Sequence, residues 1–160
     1  MRCQDFFKDR FGWLLEVLCL TMILGGGLVL AACVRPFFLR TQAVSTNPEI
    51  ISTVEDLSIK AWNRYNRYSF YCSLGLLALD VIRFSAGMVL SFWHLATILV
   101  LVLAFMRKFS IDHQLSKRLR DEAAGAVGSK EQNAGHREVE MITKLILILA
   151  FVTLLLMNLP

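Results

Sequence analysis

Residues 11–36 read FGWLLEVLCLTMILGGGLVLAACVRP. From Phe11 to Val34 there are 24 residues and a single charge, Glu16. As a helix this run reaches roughly 36 Å, enough to cross a hydrocarbon core of about 30 Å with some tilt. Arg10 and Arg35 bracket it, and Trp13 stands at interfacial depth, as aromatic anchors do. Pro36 is expected to end the helix. The stretch points to a membrane and names no reaction.

Gly25, Gly26 and Gly27 would weaken a water-exposed helix. In lipid they predict a helix-packing face, with Gly27 and Ala31 forming a small-xxx-small pair beside Pro36. The segment Leu30-Ala31-Ala32-Cys33 also matches a lipoprotein cleavage box. The run is longer than a usual signal core and holds Glu16, which argues against cleavage.

Hydrophobic residues make up 56% of the 160, leaving no room for a separate soluble domain beside a membrane one. The net charge of +4 is first a topology signal, and no nucleic-acid partner is expected. The four cysteines show no paired metal spacing, so neither a disulfide framework nor a metal site follows from them. Methionines are scattered in the same way and do not predict copper handling.

Working outward, Asn47-Pro48 starts a second helix, with Asn47 as N-cap. Ile50, Val54, Leu57, Ala61, Tyr65 and Tyr68 step by three and four, predicting its apolar face, with Glu55 and Asn63 opposite. The chain from Pro48 to Arg83 reads as one helix or two coaxial pieces. Its first half lies on the membrane surface or beneath the bundle, and its second half spans. Ser85-Ala86-Gly87 is a tight turn. Ile111, Leu115 and Leu119 predict a short amphipathic helix beyond the third span, and residues 123–129 a linker before the last helix, near Lys130.

The expected fold is all-α: an integral membrane four-helix bundle in one domain, with spans near 11–34, 69–83, 88–106 and 141–159. Amphipathic helical extensions fill loops 35–68 and 107–140. Those loops, with Lys144 one turn into the last span and able to snorkel to the same side, account for 13 of the 17 Lys and Arg residues against four on the other side. The positive-inside bias places them in the cytoplasm of a cell membrane, with both termini outside. Their basic residues are expected to meet anionic lipid headgroups.

Intramembrane ionisable residues are costly and therefore draw functional attention. Glu16, Asp80 and Arg83 share one boundary and are expected to form an interfacial ion cluster, with an ion relay as the sharper reading. His94 is the one histidine inside a span. A bis-histidine haem would need a second at membrane depth, yet His113 and His136 fall in the polar third loop. His136 is expected to bond the carbonyl end of a neighbouring helix or to serve a ligand. No nucleophile with its base, phosphate loop or metal cluster appears, so no enzyme, cofactor or metal is expected.

Four stretches together carry a likeness: GGGLVLAACVRPFF, AWNRYNRYSF, AFMRKFS and GHREVEMITKLI. In this order they resemble the small four-span family of unknown function that includes transmembrane protein 205-like proteins. The likeness runs from about Trp13 to Leu159. It implies an integral membrane protein of uncharacterised activity and supplies no catalytic or binding residue. The leading expectation is a non-enzymatic accessory protein with a membrane-protein partner or a second copy of itself. The alternatives are a small-solute, metal or ion transporter subunit and a haem-type redox subunit.

Overall fold

A computed structural model describes residues 2–88, 91–122 and 129–157, with side chains from residue 10 onward. Every extended element among them is helical: α1 (Arg2–Val29), a π-helical turn (Leu30–Val34), α2 (Arg35–Val44), α3 (Pro48–Ser85), α4 (Phe92–Glu122) and α5 (Lys130–Leu156). Three helical segments are long and apolar enough to cross a membrane: Arg10–Val44, α4 and α5. The linker expected at residues 123–129 falls outside the described residues except for Ser129.

Pro36 does not end the first helix. Proline has no N–H for the carbonyl four residues back and its ring crowds that carbonyl. The chain absorbs this by widening to a π turn, in which Arg35 N–H reaches back five residues to Leu30 O. Helical backbone then continues to Val44. The break comes at residues 45–47. There Asn47 Oδ1 accepts from Glu49 N–H at 2.9 Å, and Pro48 takes the first position of α3.

The 38 residues of α3 make one rod of roughly 57 Å, far longer than a hydrocarbon core is thick. It stops at the expected turn, where Gly87 takes φ +77°, a conformation favouring glycine. Ser129 caps α5, accepting from Gln132 N–H at 3.1 Å. Thr153–Thr97 at 3.0 Å and Lys108–Thr143 at 2.8 Å make α4 and α5 antiparallel neighbours. The bundle therefore has a turn end, near Gly87, and a loop end, where α2 and the beginnings of α3 and α5 meet the end of α4.

The four long helices share one dry core: Leu20 and Ile23 from α1, Leu76 from α3, Ile98 and Phe105 from α4, and Ile146 from α5. A smaller cluster of Ile59, Ile111, Leu115 and Leu119 closes the loop end, with the last three on α4 as their spacing predicted. Outside, large apolar side chains stay exposed on α1, α4 and α5, among them Leu18, Leu28, Leu103, Ile148 and Phe151. A soluble monomer rarely presents so much apolar surface, and lipid would cover it.

The face of α3 differs from expectation. Ile50, Leu57 and Tyr68 are exposed, and of the six residues of the expected apolar face only Tyr65 is buried. The inward seam runs Glu55, Ile59, Asn66, Ser69, Ser73, Leu76 and Asp80, in steps of three, four and seven. The inward positions give polar groups their partners: Asn66 donates to Asp112, and Glu55 accepts from Gln42, Gln132 and His136.

Candidate functional site

Two polar clusters lie at opposite ends of this seam, with the apolar core between them. At the turn end, Glu16 of α1, Asp80 and Arg83 of α3 and His94 of α4 come together. Arg83 Nη1 donates to Glu16 Oε1 and lies 4.0 Å from Asp80 Oδ1. His94 Nδ1 is 3.2 Å from Asp80 Oδ2. Glu16, Asp80 and His94 are all buried. Gly12 makes room for the guanidinium: a Cβ there would stand 2.9 Å from Arg83 Nη2.

One ligand atom from each of Glu16, Asp80 and His94 falls within a 4.8 Å group, the donor set of a divalent cation. The Arg83 guanidinium already sits on Glu16, however, and would have to leave. The arrangement is first an ion cluster, as the sequence suggested for Glu16, Asp80 and Arg83. His94 joins it, which the sequence did not show.

At the loop end a cavity of about 500 Å³ opens between the helices. Its polar centre is Glu55, placed on the solvent side by the sequence yet buried. Gln42 Nε2 of α2 donates to its Oε2 at 2.8 Å. Its Oε1 receives Gln132 Nε2 at 3.2 Å and His136 Nε2 at 2.5 Å, both from α5. A carboxylate only accepts, so His136 presents an Nε2–H to Glu55. Burial pushes the Glu55 carboxyl up, but hydrogen bonds from His136, Gln42 and Gln132 and the charge of His136 outweigh it and hold the group at about 2. His136 thus serves a carboxylate, and not the carbonyl end of a helix.

Asp112 lines the same cavity and accepts from Asn66 Nδ2 at 2.7 Å. Behind the wall, fully buried Lys108 donates to Thr143 Oγ1 at 2.8 Å and lies 4.6 Å from the Trp62 ring centre. Towards the mouth, Glu140 pairs with Arg35 at 2.8 Å and Lys144 at 3.0 Å. Gly135 lets α4 and α5 close beneath: a Cβ there would meet Leu115 Cδ2 at 2.6 Å.

The glycine run divides. Around Gly25 a Cβ meets nothing within 4 Å. At Gly26 and Gly27 it would meet the Tyr65 ring at 3.0 Å and the Tyr65 hydroxyl at 2.7 Å. The packing partner is thus one tyrosine side chain of α3, with Leu147 of α5 also close to Gly27. Ala31 lines the cavity, and exposed Pro36 belongs to the π-turn junction.

Sequence reasoning missed Glu55, Gln42, Gln132, Asp112 and Lys108. The seven-residue steps from Glu55 through Trp62 and Ser69 to Leu76, and from Ile59 through Asn66 and Ser73 to Asp80, were the available signal. Comparison with protein-family models, curated proteins and solved structures finds no match to this chain.

Proposed function

We propose that this chain is a non-enzymatic, multi-pass integral membrane protein with four spans that binds a small charged ligand in its loop-end cavity. The observation that carries this reading is the Glu55 cradle. Side chains from α2 and α5 converge on one buried carboxylate at the edge of a 500 Å³ space, a size typical of small-molecule sites. The fourth span is the apolar second half of α3, residues 69–83. Four spans with basic loops put the loop end in the cytoplasm of a cell membrane and both termini outside. Those loops draw anionic headgroups, and the exposed apolar flanks suit a membrane-protein partner or a second copy. The likeness to the transmembrane protein 205-like family remains part of this proposal and lends no residue a role.

Two measurements test it. A thermal-shift screen of the nanodisc-embedded protein against small anions, cations and zwitterions should find one class that stabilises the wild type and not a folded Glu55→Gln variant. No stabilisation by any class would overturn the cavity reading. In a cysteine-free background, Ser45→Cys should resist a membrane-impermeant thiol reagent in intact cells. Labelling from outside would reverse the sidedness.

The turn-end cluster favours a second reading, a transporter subunit in which ligand binding at one end is coupled to ion occupancy at the other. Substitution of Glu16, Asp80 or His94 should then abolish flux in proteoliposomes while the protein still accumulates. The haem reading gains no support, because His94 and His136 engage carboxylates at opposite ends of the bundle.

A further inference from the structure

The loop-end cavity is electrically divided. Arg35, Arg137 and Lys144 line it, and with Glu140 as the carboxylate among them they carry a formal charge of +2. Arg137 has no ion pair among the described residues. The inner wall carries Glu55 and Asp112 instead, with His136 hydrogen-bonded to Glu55. Gln132 adds a directional feature. Its Nε2 must face Glu55, because the carboxylate accepts and does not donate. That fixes Oε1 as the free end of the amide, and Oε1 is buried with no hydrogen-bond partner among the described residues. Gln132 itself is 1% exposed. A buried acceptor beside a carboxylate calls for a donor carrying positive charge.

Apolar residues complete the lining. Ala31 and Leu147 belong to the apolar runs of the first and last helices, and Phe38, Leu39 and Val139 continue towards the mouth. The space therefore offers an acidic interior, a cationic mouth and an apolar flank reaching membrane depth.

Building on the ligand-cavity reading, we propose that this site takes a zwitterion with a primary ammonium and an oxyacid anion, as in the headgroup of an aminophospholipid. The ammonium donates to Gln132 Oε1 and faces Glu55. The anion lies on Arg35, Arg137 and Lys144. A free zwitterion shares this chemistry but lacks the chains that the apolar flank would cover.

The test compares phosphatidylethanolamine with phosphatidylcholine of the same acyl chains, by native mass spectrometry of the detergent-purified protein. The two differ at nitrogen: the quaternary ammonium has no N–H to donate. Phosphatidylethanolamine should bind roughly tenfold more tightly, the size of effect one charge-assisted hydrogen bond supplies. Gln132→Met should erase that preference, whereas Arg137→Gln, at an exposed position, should weaken both lipids and keep the ratio. Thermal melting checks that each variant is folded. If Gln132→Met fails to fold, the Arg137→Gln result and the wild-type ratio decide.

Equal binding of the two lipids would overturn the ammonium assignment. A preference that survives in folded Gln132→Met would overturn the placement at Gln132. Tighter binding of phosphatidylglycerol than of phosphatidylethanolamine would overturn the zwitterion while leaving a ligand cavity. Competition by glycerophosphoethanolamine as strong as by the intact lipid would support the zwitterion and identify a soluble source. Absence of binding by any of these probes would overturn the inference, and the thermal-shift screen would then decide separately whether the cavity binds another class.

Discussion

The Tyr65 hydroxyl donates a 2.6 Å hydrogen bond to the carbonyl oxygen of Ile23, reaching from α3 into α1. The ring can lie there because Gly26 and Gly27 have no side chain in its path. The glycine run is thus a socket for one aromatic residue.

This makes the glycines unequal. Gly27→Leu must displace Tyr65 and Leu147, and overpacking of that kind costs about 1–3 kcal/mol. Gly25→Ala enters open space and should be neutral or stabilising by up to about 1 kcal/mol, the helix preference for alanine. Tyr65→Phe should lose about 1 kcal/mol with the bond. Thermal melting in detergent checks all three. Equal losses for Gly25→Ala and Gly27→Leu would sink the socket.

Glu55 makes the loop end acid-sensitive. Its carboxyl is held at about 2 against an ordinary 4.5, so the folded state favours the charged form. The resulting stabilisation is fully present above about pH 4.5 and is lost as pH falls towards 2. Glu140 is lowered in the same window by Arg35 and Lys144, so wild-type melting alone does not isolate Glu55. The difference between wild type and Glu55→Gln does. The variant should be less stable at pH 7 by about 1–3 kcal/mol, because donors lose a charged acceptor. That gap should shrink steadily between pH 4.5 and pH 2. A gap independent of pH would mean that Glu55 acts by shape and not by charge.

The membrane character was legible because it needs only length and apolarity, and Phe11–Val34 supplies both. The start of α3 was legible because Asn47-Pro48 is a local signal, and that of α5 because the linker composition ends at Ser129; sequence reasoning missed the capping role of Ser129. The inward face of α3 was not. Ile50, Leu57 and Tyr68 follow the helical period as well as Glu55, Ile59 and Asn66 do. A rule that sends apolar residues inward selects the wrong stripe where polar side chains find hydrogen-bond partners inside the bundle. The π turn was hidden for a different reason. Pro36 normally signals a helix end, and only the bond from Arg35 N–H back five residues to Leu30 O shows how the helix accommodates it. At the turn end, Glu16, Asp80 and Arg83 were legible as three ionisable residues at one boundary. The approach of His94 depends on how α4 packs against α3, and the room for Arg83 on Gly12, which no local pattern encodes.

That turn-end cluster yields the sharpest stability test. Arg83 joins Glu16 and stands 4.0 Å from Asp80, and both carboxylates are buried. Arg83→Met removes the cation and leaves two buried acids without it, which should cost about 3–5 kcal/mol. Glu16→Leu removes one acid and leaves Arg83 with Asp80, a smaller loss. The double variant removes the pair together, and an apolar replacement of a buried ion pair is often neutral. It should therefore melt closer to wild type than Arg83→Met does, with Asp80 still held by His94 at 3.2 Å. The coupling read from this cycle should be at least about 1 kcal/mol in favour of the double change. Strictly additive losses would mean that the two side chains act independently. The cluster would then fix neither the register of α3 against α1 nor the charge seen by His94.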